Sequence, residues 1–497
     1  MPPPPFHIVI IGGSIAGLTL AHCLLRSPQS KNITFTILES KSQIAPPLGA
    51  GIALLPNGAR ILDQLSLFNE LEAATEPLRE TYFWRSNGKL LHGYPIAFVD
   101  RKVALGILYH RLKETEEGRR CVVTGKTVVK VQQDGDGIEV QCTDGTRYKG
   151  DLVVGADGVR SVVRRQMWEF MESKGLKEEL GREREAMSCE YSCLFGISEP
   201  TPGLADGSEH RTFGEGWSFM HIVGKQKRVY WFLFKRLDRK YAASEIPRFD
   251  QSMVGQFVEP FLDNPASDTV PFREVYKRVI TYRLVPLEEA WYDHWAIDRW
   301  VCIGDAAHKM TPNLGQGGNC AIESAAALVN SIHNLLQASS DAKISTKEIH
   351  SHLQAWQAKQ QARVRYNCKD SYNLTRLEAL STLKDRVFSL YLLPYLDKYL
   401  PNPVSKLAVG ARRIEYLPLP ERSLTGTVPF DDTRPVMISP IWKWVRGAAP
   451  LVHALGTYSN KAFPPYSLQF RLVHVYALAL EQISGICLLE TNRNMNL

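Results

Sequence analysis

The chain has 497 residues, 44% of them hydrophobic and 22% charged, with a formal net charge of +7. That length can bury a large core in two or three domains, and the composition is that of an ordinary globular protein. Its lysines and arginines are scattered, with no dense basic block interleaved with aromatics, so nucleic acid is excluded from the expected partners.

In chain order, Met1 is followed by four prolines, which lack the basic start and apolar run of a signal peptide. Phe6 to Ile11 predicts a buried strand, Gly12-Gly13 a sharp turn, and Ala16 to Leu25 a helix packed on that strand. This strand-turn-helix unit aims free N–H groups and a positive helix end at whatever lies above it, which suits a pyrophosphate. Gly12 permits the turn and Gly17 the close packing. Ser14 stands at the middle glycine of a GxGxxG pattern, where a small hydroxyl still fits. The next strand, Thr34 to Leu38, ends in Glu39, roughly 20 residues beyond Gly17, the offset at which a carboxylate accepts from an adenosine ribose. A phosphorylated ribose would be repelled, so FAD or NAD suits this pocket better than NADP.

Asp151 to Val154 is a second apolar strand, running into Gly155-Ala156-Asp157-Gly158 and then Ser161 and Arg164 on a basic, helix-like stretch; alone it reads as a strand end with a hairpin or helix cap. Charges from Lys174 to Glu185 mark a solvated helix or loop at a domain seam. From Met187 to Tyr282 the pattern turns to β, with strands at Cys189 to Gly196, Gly216 to Gly224 and Arg228 to Phe234. A short buried strand, Trp300 to Ile303, ends in Gly304-Asp305, and Pro312 to Asn319 leads into an Ala-rich helix from Cys320 to about Leu336. A carboxylate at that strand end can hold a polyol hydroxyl. The glycine run lets a helix N-terminus face a delocalised anion such as the edge of a reduced flavin.

Helical patterns continue to about Tyr399, after which Pro401, Pro403, Pro418, Pro420, Pro429 and Pro435 break the chain. Leu472 to Leu489 is the most membrane-like stretch, but His474, Glu481 and Gln482 interrupt it, favouring an amphipathic or core helix over a spanning one. Nine cysteines, without CxxC pairs or histidines at zinc spacing, imply a reducing intracellular compartment and no metal site. A Cys189–Cys193 bridge stays open as an alternative to two thiols.

On these three glycine-centred segments, in this order, the chain resembles the single-component FAD-dependent monooxygenases of the aromatic-hydroxylase type, over about residues 6 to 335. Gly12 to His22, Leu55 to Arg60, Gly93 to Arg101 and His308 to Asn313 look most like fungal enzymes that epoxidise polyprenyl chains in meroterpenoid and indole-diterpene biosynthesis. Between Asn87 and Tyr94 the chain is shorter than in such relatives, which leaves the strand pairing there open.

The resemblance implies an α/β fold: a Rossmann-like FAD-binding domain (residues 1–80, 96–185 and 285–335), interleaved with a mainly β substrate domain (81–95 and 186–284), and a helical C-terminal region (336–497). It implies a cofactor site of Gly12, Gly13, Ser14, Gly17, Glu39 on the ribose, Ala53, Arg101 on the ribityl or phosphate part, Asp157, Asp305 on the ribityl chain, Pro312, Gly315, Gly317 and Gly318. Arg101 also has a case of its own, since a guanidinium after a buried strand can neutralise a diphosphate. Phe213 is the candidate substrate-facing group, and His308 a candidate donor near the flavin. Trp217, Tyr230 and Trp231 lie in the same Met187 to Tyr282 β segment, which is expected to roof the flavin, and strand alternation prevents Tyr230 and Trp231 from facing the flavin together.

The activity so implied is epoxidation of a polyprenyl alkene through a flavin C4a-hydroperoxide, with NADPH or NADH and O₂ as co-substrates. No second dinucleotide fold is visible, so the nicotinamide donor would bind transiently. An alkene needs no protein base, so the substrate wall is expected to be apolar. Two alternatives are aromatic ring hydroxylation on the same fold and a non-catalytic flavoprotein that binds FAD or a prenyl chain. The expected location is intracellular, cytoplasmic or weakly associated with an internal membrane surface.

Overall fold

The computed structural model describes residues 4–46, 51–78, 80–87, 97–181, 183–339, 343–393, 407–425 and 430–432. All of them lie in the first of two units into which the chain divides, Met1–Arg434. Gly93 to Ile96 of the resemblance motif, most of the Asn87 to Tyr94 stretch, the helix end near Tyr399, Pro401, Pro403, Pro429, Pro435, Leu472 to Leu489 and Cys487 lie outside the described residues.

A six-stranded sheet has the order Ala296–Ile297, Trp300–Cys302, Leu152–Gly155, Phe6–Ile11, Ile33–Glu39 and Val122–Thr124. Four of its five pairings are parallel, and only the short outer Ala296–Ile297 strand is antiparallel to its neighbour. A parallel sheet is covered on both faces, which is why Ile8, Val9, Ile10, Val153 and Val154 form unbroken apolar runs with no exposed surface. Each such side chain contributes about 1.5–3 kcal/mol by leaving water.

Two glycines allow the first turn. Gly12 has φ +108°, and a Cβ there would fall 2.3 Å from the carbonyl oxygen of Ala156, at the end of the neighbouring strand. A Cβ on Gly17 would lie 2.0 Å from the Gly12 carbonyl oxygen, so helix Ile15–Leu25 can leave the turn only with glycine there. That helix packs against the long helix Gln316–Ala338.

A seven-stranded sheet has the order His308–Lys309, Val279–Trp291, Ser188–Ser198, Val229–Ala242, Trp217–Val223, Ser208–Gly214 and Glu80–Arg85. It is antiparallel apart from its last pair, where Glu80–Arg85 runs parallel to Ser208–Gly214. Strand Val279–Trp291 runs unbroken through residue 285, and the sheet continues into His308–Lys309. The mixed α/β architecture anticipated from the sequence is therefore present, and helix Thr346–Glu378 follows it.

Several local expectations are corrected. Helix Gln316–Ala338 starts four residues before Cys320, because Gly315 at φ +67° turns the chain directly into it. Strand Ser208–Gly214 is buried along its whole length, so its sequence lacks the alternation that would have revealed it. Within the charged run Lys174 to Glu185, Glu183 is buried: its carboxylate receives Arg164 Nη1 at 3.4 Å, Trp168 Nε1 at 3.2 Å and His294 Nδ1 at 2.5 Å. Cys189 and Cys193 are free thiols.

Candidate functional site

One cavity of about 780 Å³ lies between the two sheets, within the size range of small-molecule and cofactor sites. Its polar half is lined by Gly12, Ser14, Glu39, Arg101, Asp157, Asp305, Lys309, Pro312, Gly315, Gly317 and Gly318, with Ala53 beside them. Gly13 and Gly17 are absent from that lining and shape the turn from behind. Segments separated by hundreds of residues thus converge on one space.

Two helix N-termini open on it without any side-chain cap. Neither Ile15–Leu25 nor Gln316–Ala338 has an N-cap side-chain bond or an acidic residue in its first turn. Their unpaired N–H groups and dipoles leave a positive field for a ligand anion. Asp157 by contrast caps a helix of its own: Oδ2 accepts from Val162 N at 2.7 Å, while buried Oδ1 has no partner among the described residues. Burial raises its pKa.

Arg101 begins helix Arg101–Leu112, whose N-cap Asp100 accepts from Lys102 N, so the aspartate is used by the backbone. The guanidinium is free to reach across, and Arg101 Nη2 donates to Ser14 Oγ at 2.9 Å. Burial lowers its pKa, against the pull of Asp305 and Glu39. Glu39 ends its strand and accepts from Gly13 N at 2.8 Å and Lys41 N at 2.9 Å. The Ala53 carbonyl accepts from Asn319 Nδ2 at 2.8 Å, and that amide also ties down Gly315 O at 2.7 Å.

Asp305 is held by Lys309 Nζ at 2.7 Å. Burial works to raise its pKa, but Lys309, His308 and Arg101 outweigh this and keep it below the ordinary aspartate value. Lys309 is the cationic residue that sequence reasoning missed. The sequence pattern points to its neighbour His308 instead, but adjacent residues of a strand point to opposite faces. His308 packs on Trp295 at 5.2 Å, away from the cavity lining, with both ring nitrogens unpartnered among the described residues. Burial lowers its pKa to about 4, so it is neutral near pH 7.

The other half of the cavity comes from the seven-stranded sheet: Cys193, Phe195, Met220, Ile222, Phe232, Val285 and Leu287, with Leu78 and Phe98. Phe213 lies outside this lining and packs on Phe83 at 5.7 Å and against Leu380. Trp217 and Trp231 cover the opposite face of the sheet, against Phe261 and Phe272. Tyr230 shares the cavity-side face but packs on Phe98, and Phe232, two residues on, lines the space. Alternation along the aromatic strand was the signal that selects Phe232. The wall is also less apolar than expected, since Glu209 and Arg211 belong to it.

The cofactor implied by the resemblance fits these residues: uncapped helix ends for a diphosphate, carboxylates at two strand ends for hydroxyls, and a cation at Arg101. Comparison with known proteins agrees. A family model described as an FAD binding domain matches residues 6–362, and the chain belongs to that family of FAD-dependent monooxygenases. It is 38% identical over 480 residues to FAD-dependent monooxygenase anuJ of Penicillium roqueforti, covering 91% of this chain and 58% of that protein. To FAD-dependent monooxygenase spyC of Aspergillus fumigatus it is 40% identical over 436 residues, covering 85% and 90%. The solved structure of Klebsiella pneumoniae HpxO complexed with FAD and uric acid shares the fold, with a TM-score of 0.61 and 21% identity over 76% of this chain and 90% of that one.

Proposed function

We propose that this protein is an FAD-dependent monooxygenase that epoxidises an alkene of a polyprenyl chain on a meroterpenoid or indole-diterpene intermediate. The observation that carries this reading is the continuity of a polar, cation-lined half and an apolar half in one cavity. The chemistry FAD supplies when bound is reductive activation of O₂, with NADPH or NADH as electron donor.

In this reading Glu39 accepts from the adenosine ribose, and Arg101 with the start of helix Ile15–Leu25 neutralises the diphosphate. Asp305 accepts from the ribityl hydroxyls, and Lys309 keeps it ionised. The start of helix Gln316–Ala338 stabilises negative charge on the ring system. Phe195, Met220, Ile222, Phe232, Val285 and Leu287 exclude water and pack the hydrocarbon chain. An alkene has no acidic proton to remove, so this wall needs no general base, and neutral His308, facing Trp295, supplies none.

The test supplies purified protein with FAD, NADPH or NADH, O₂ and a prenylated aromatic or a simple phenol, and reads products by mass spectrometry. One oxygen gained on the prenyl chain supports epoxidation. Oxygen on the phenol ring supports aromatic hydroxylation, and inert protein with bound FAD refutes catalysis of either kind.

A further inference from the structure

A strap from beyond the family match, residues 407–425 and 430–432, grips helix Pro56–Gln64, and none of its residues lines the cavity. Gln64 holds it as a neighbouring strand would: Ile414 N donates to Gln64 Oε1 at 2.8 Å, and Gln64 Nε2 donates to Ile414 O at 2.9 Å. Asn330, on helix Gln316–Ala338, repeats the device. Glu415 N donates to Asn330 Oδ1 at 3.0 Å, and Asn330 Nδ2 donates to Arg413 O at 2.9 Å. Buried Arg60 lies 4.3 Å over the Phe430 ring and donates through Nη2 to both oxygens of Asp432, at 2.8 and 2.7 Å. The strap thus ties two helices to each other.

Glu323 carries this grip inward. Asn57, Gln316, Asn319 and Glu323 have no exposed surface. Arg412 N, on the strap, donates to Glu323 Oε1 at 2.8 Å, and Asn57 Nδ2 donates to Glu323 Oε2 at 2.8 Å. The same Asn57 amide donates to Gln316 Oε1 at 3.0 Å. Gln316 is the first residue of its helix, and Gly315, Gly317 and Gly318 beside it line the cavity. Asn319 accepts from Leu55 N at 3.1 Å, which fixes the end of strand Gly51–Leu54, whose Ile52 and Ala53 line the same wall. Arg363, 3.4 Å from Glu323, balances its charge and donates to Leu407 O at 2.5 Å and Val409 O at 2.6 Å on the strap. A buried carboxylate is costly unless it is paired, and a fully satisfied polar network admits one arrangement. Four buried polar side chains therefore hold two cavity-lining segments in one relative position.

We propose that the strap positions the ring end of the cofactor site, and that Glu323 is the positioning residue through which it acts. This rests on the reading of the start of helix Gln316–Ala338 as the end that faces the flavin ring. On the adenosine side, the strap donates from Tyr416 Oη to Cys23 O at 2.6 Å, far along helix Ile15–Leu25 from Ser14. The ring end should therefore respond to the strap, and the adenosine end should not.

The test titrates full-length protein freed of FAD with FAD, which spans both ends, and with ADP, which reaches only the adenosine end. In Glu323→Gln an amide N–H faces Asn57 Nδ2, donor against donor. FAD should then bind roughly tenfold more weakly and the visible band of bound flavin should shift, while ADP affinity is kept. Glu323→Gln with Asn57→Asp exchanges donor for acceptor and should restore both affinity and band. Gln64→Ala loosens the strap alone and should also weaken FAD binding with ADP affinity kept. Wild-type FAD affinity and band in Glu323→Gln, wild-type FAD affinity in Gln64→Ala, or no rescue by the exchange overturns the proposal. So does an equal loss of ADP binding, which would mark general damage to the fold. Should Glu323→Gln not fold, the exchange variant and Gln64→Ala decide. A wild type that binds FAD no tighter than ADP would instead refute the reading of that helix start as the ring end, so the two failures are told apart.

Discussion

Replacing Asp305 by Asn tests the cofactor geometry with least disturbance of shape. The amide occupies the same volume but removes the charge that faces Lys309 Nζ at 2.7 Å and lies within the field of Arg101. Two effects follow. Lys309 and Arg101 now repel each other without a carboxylate between them, and a hydroxyl donor from the ribityl chain meets a weaker acceptor. A hydrogen bond to a charged group contributes about 1.5–3 kcal/mol, so FAD affinity should fall roughly 10- to 150-fold. The check is the ratio of flavin to protein absorbance after purification, followed by fluorescence titration of apoprotein with FAD. Asp305→Ala, which removes the acceptor altogether, should purify colourless. A variant that stays fully yellow with wild-type affinity would show that Asp305 does not hold the cofactor.

Acid stability depends on buried histidines. The folded pKa of His308 is lowered by burial to about 4, and that of His221 to about 3, so the unfolded chain takes up protons first as pH falls below the ordinary histidine value. Stability should therefore be full above about pH 6.5 and decline toward pH 3, with His308 alone accounting for about 3 kcal/mol of the loss, complete by about pH 4. Urea unfolding at stepped pH should show a shallower decline in His308→Met; an unchanged slope removes His308 as the cause. Gly17→Ala places a Cβ 2.0 Å from the Gly12 carbonyl oxygen and should cost more than about 3 kcal/mol, read as lost soluble yield or a lower denaturation midpoint, and a wild-type midpoint contradicts the packing described. Phe232→Ala should raise KM for a prenylated substrate roughly tenfold with flavin content unchanged, because the ring faces the apolar half only. A change in flavin content without a change in KM would place the substrate elsewhere.

The glycine segments, the strand-ending carboxylates Glu39 and Asp305, and the buried parallel strands were legible in the sequence because each is a local pattern. A strand, a turn that tolerates no Cβ and a helix start are specified within about a dozen consecutive residues. The residues that complete the site were set by pairings between distant segments. Lys309 rather than His308 meets Asp305 because strand His308–Lys309 docks on Val279–Trp291 in one register, and a shift of one residue would exchange their faces. Phe232 lines the cavity and Phe213 does not for the same kind of reason: each strand's neighbours decide which space its face meets. Arg211 and Glu378 lie 167 positions apart, and neither residue carries a local signal of the other. Their meeting exists only once helix Thr346–Glu378 closes against the sheet, where burial makes an unpaired charge too costly and so makes the pairing obligatory.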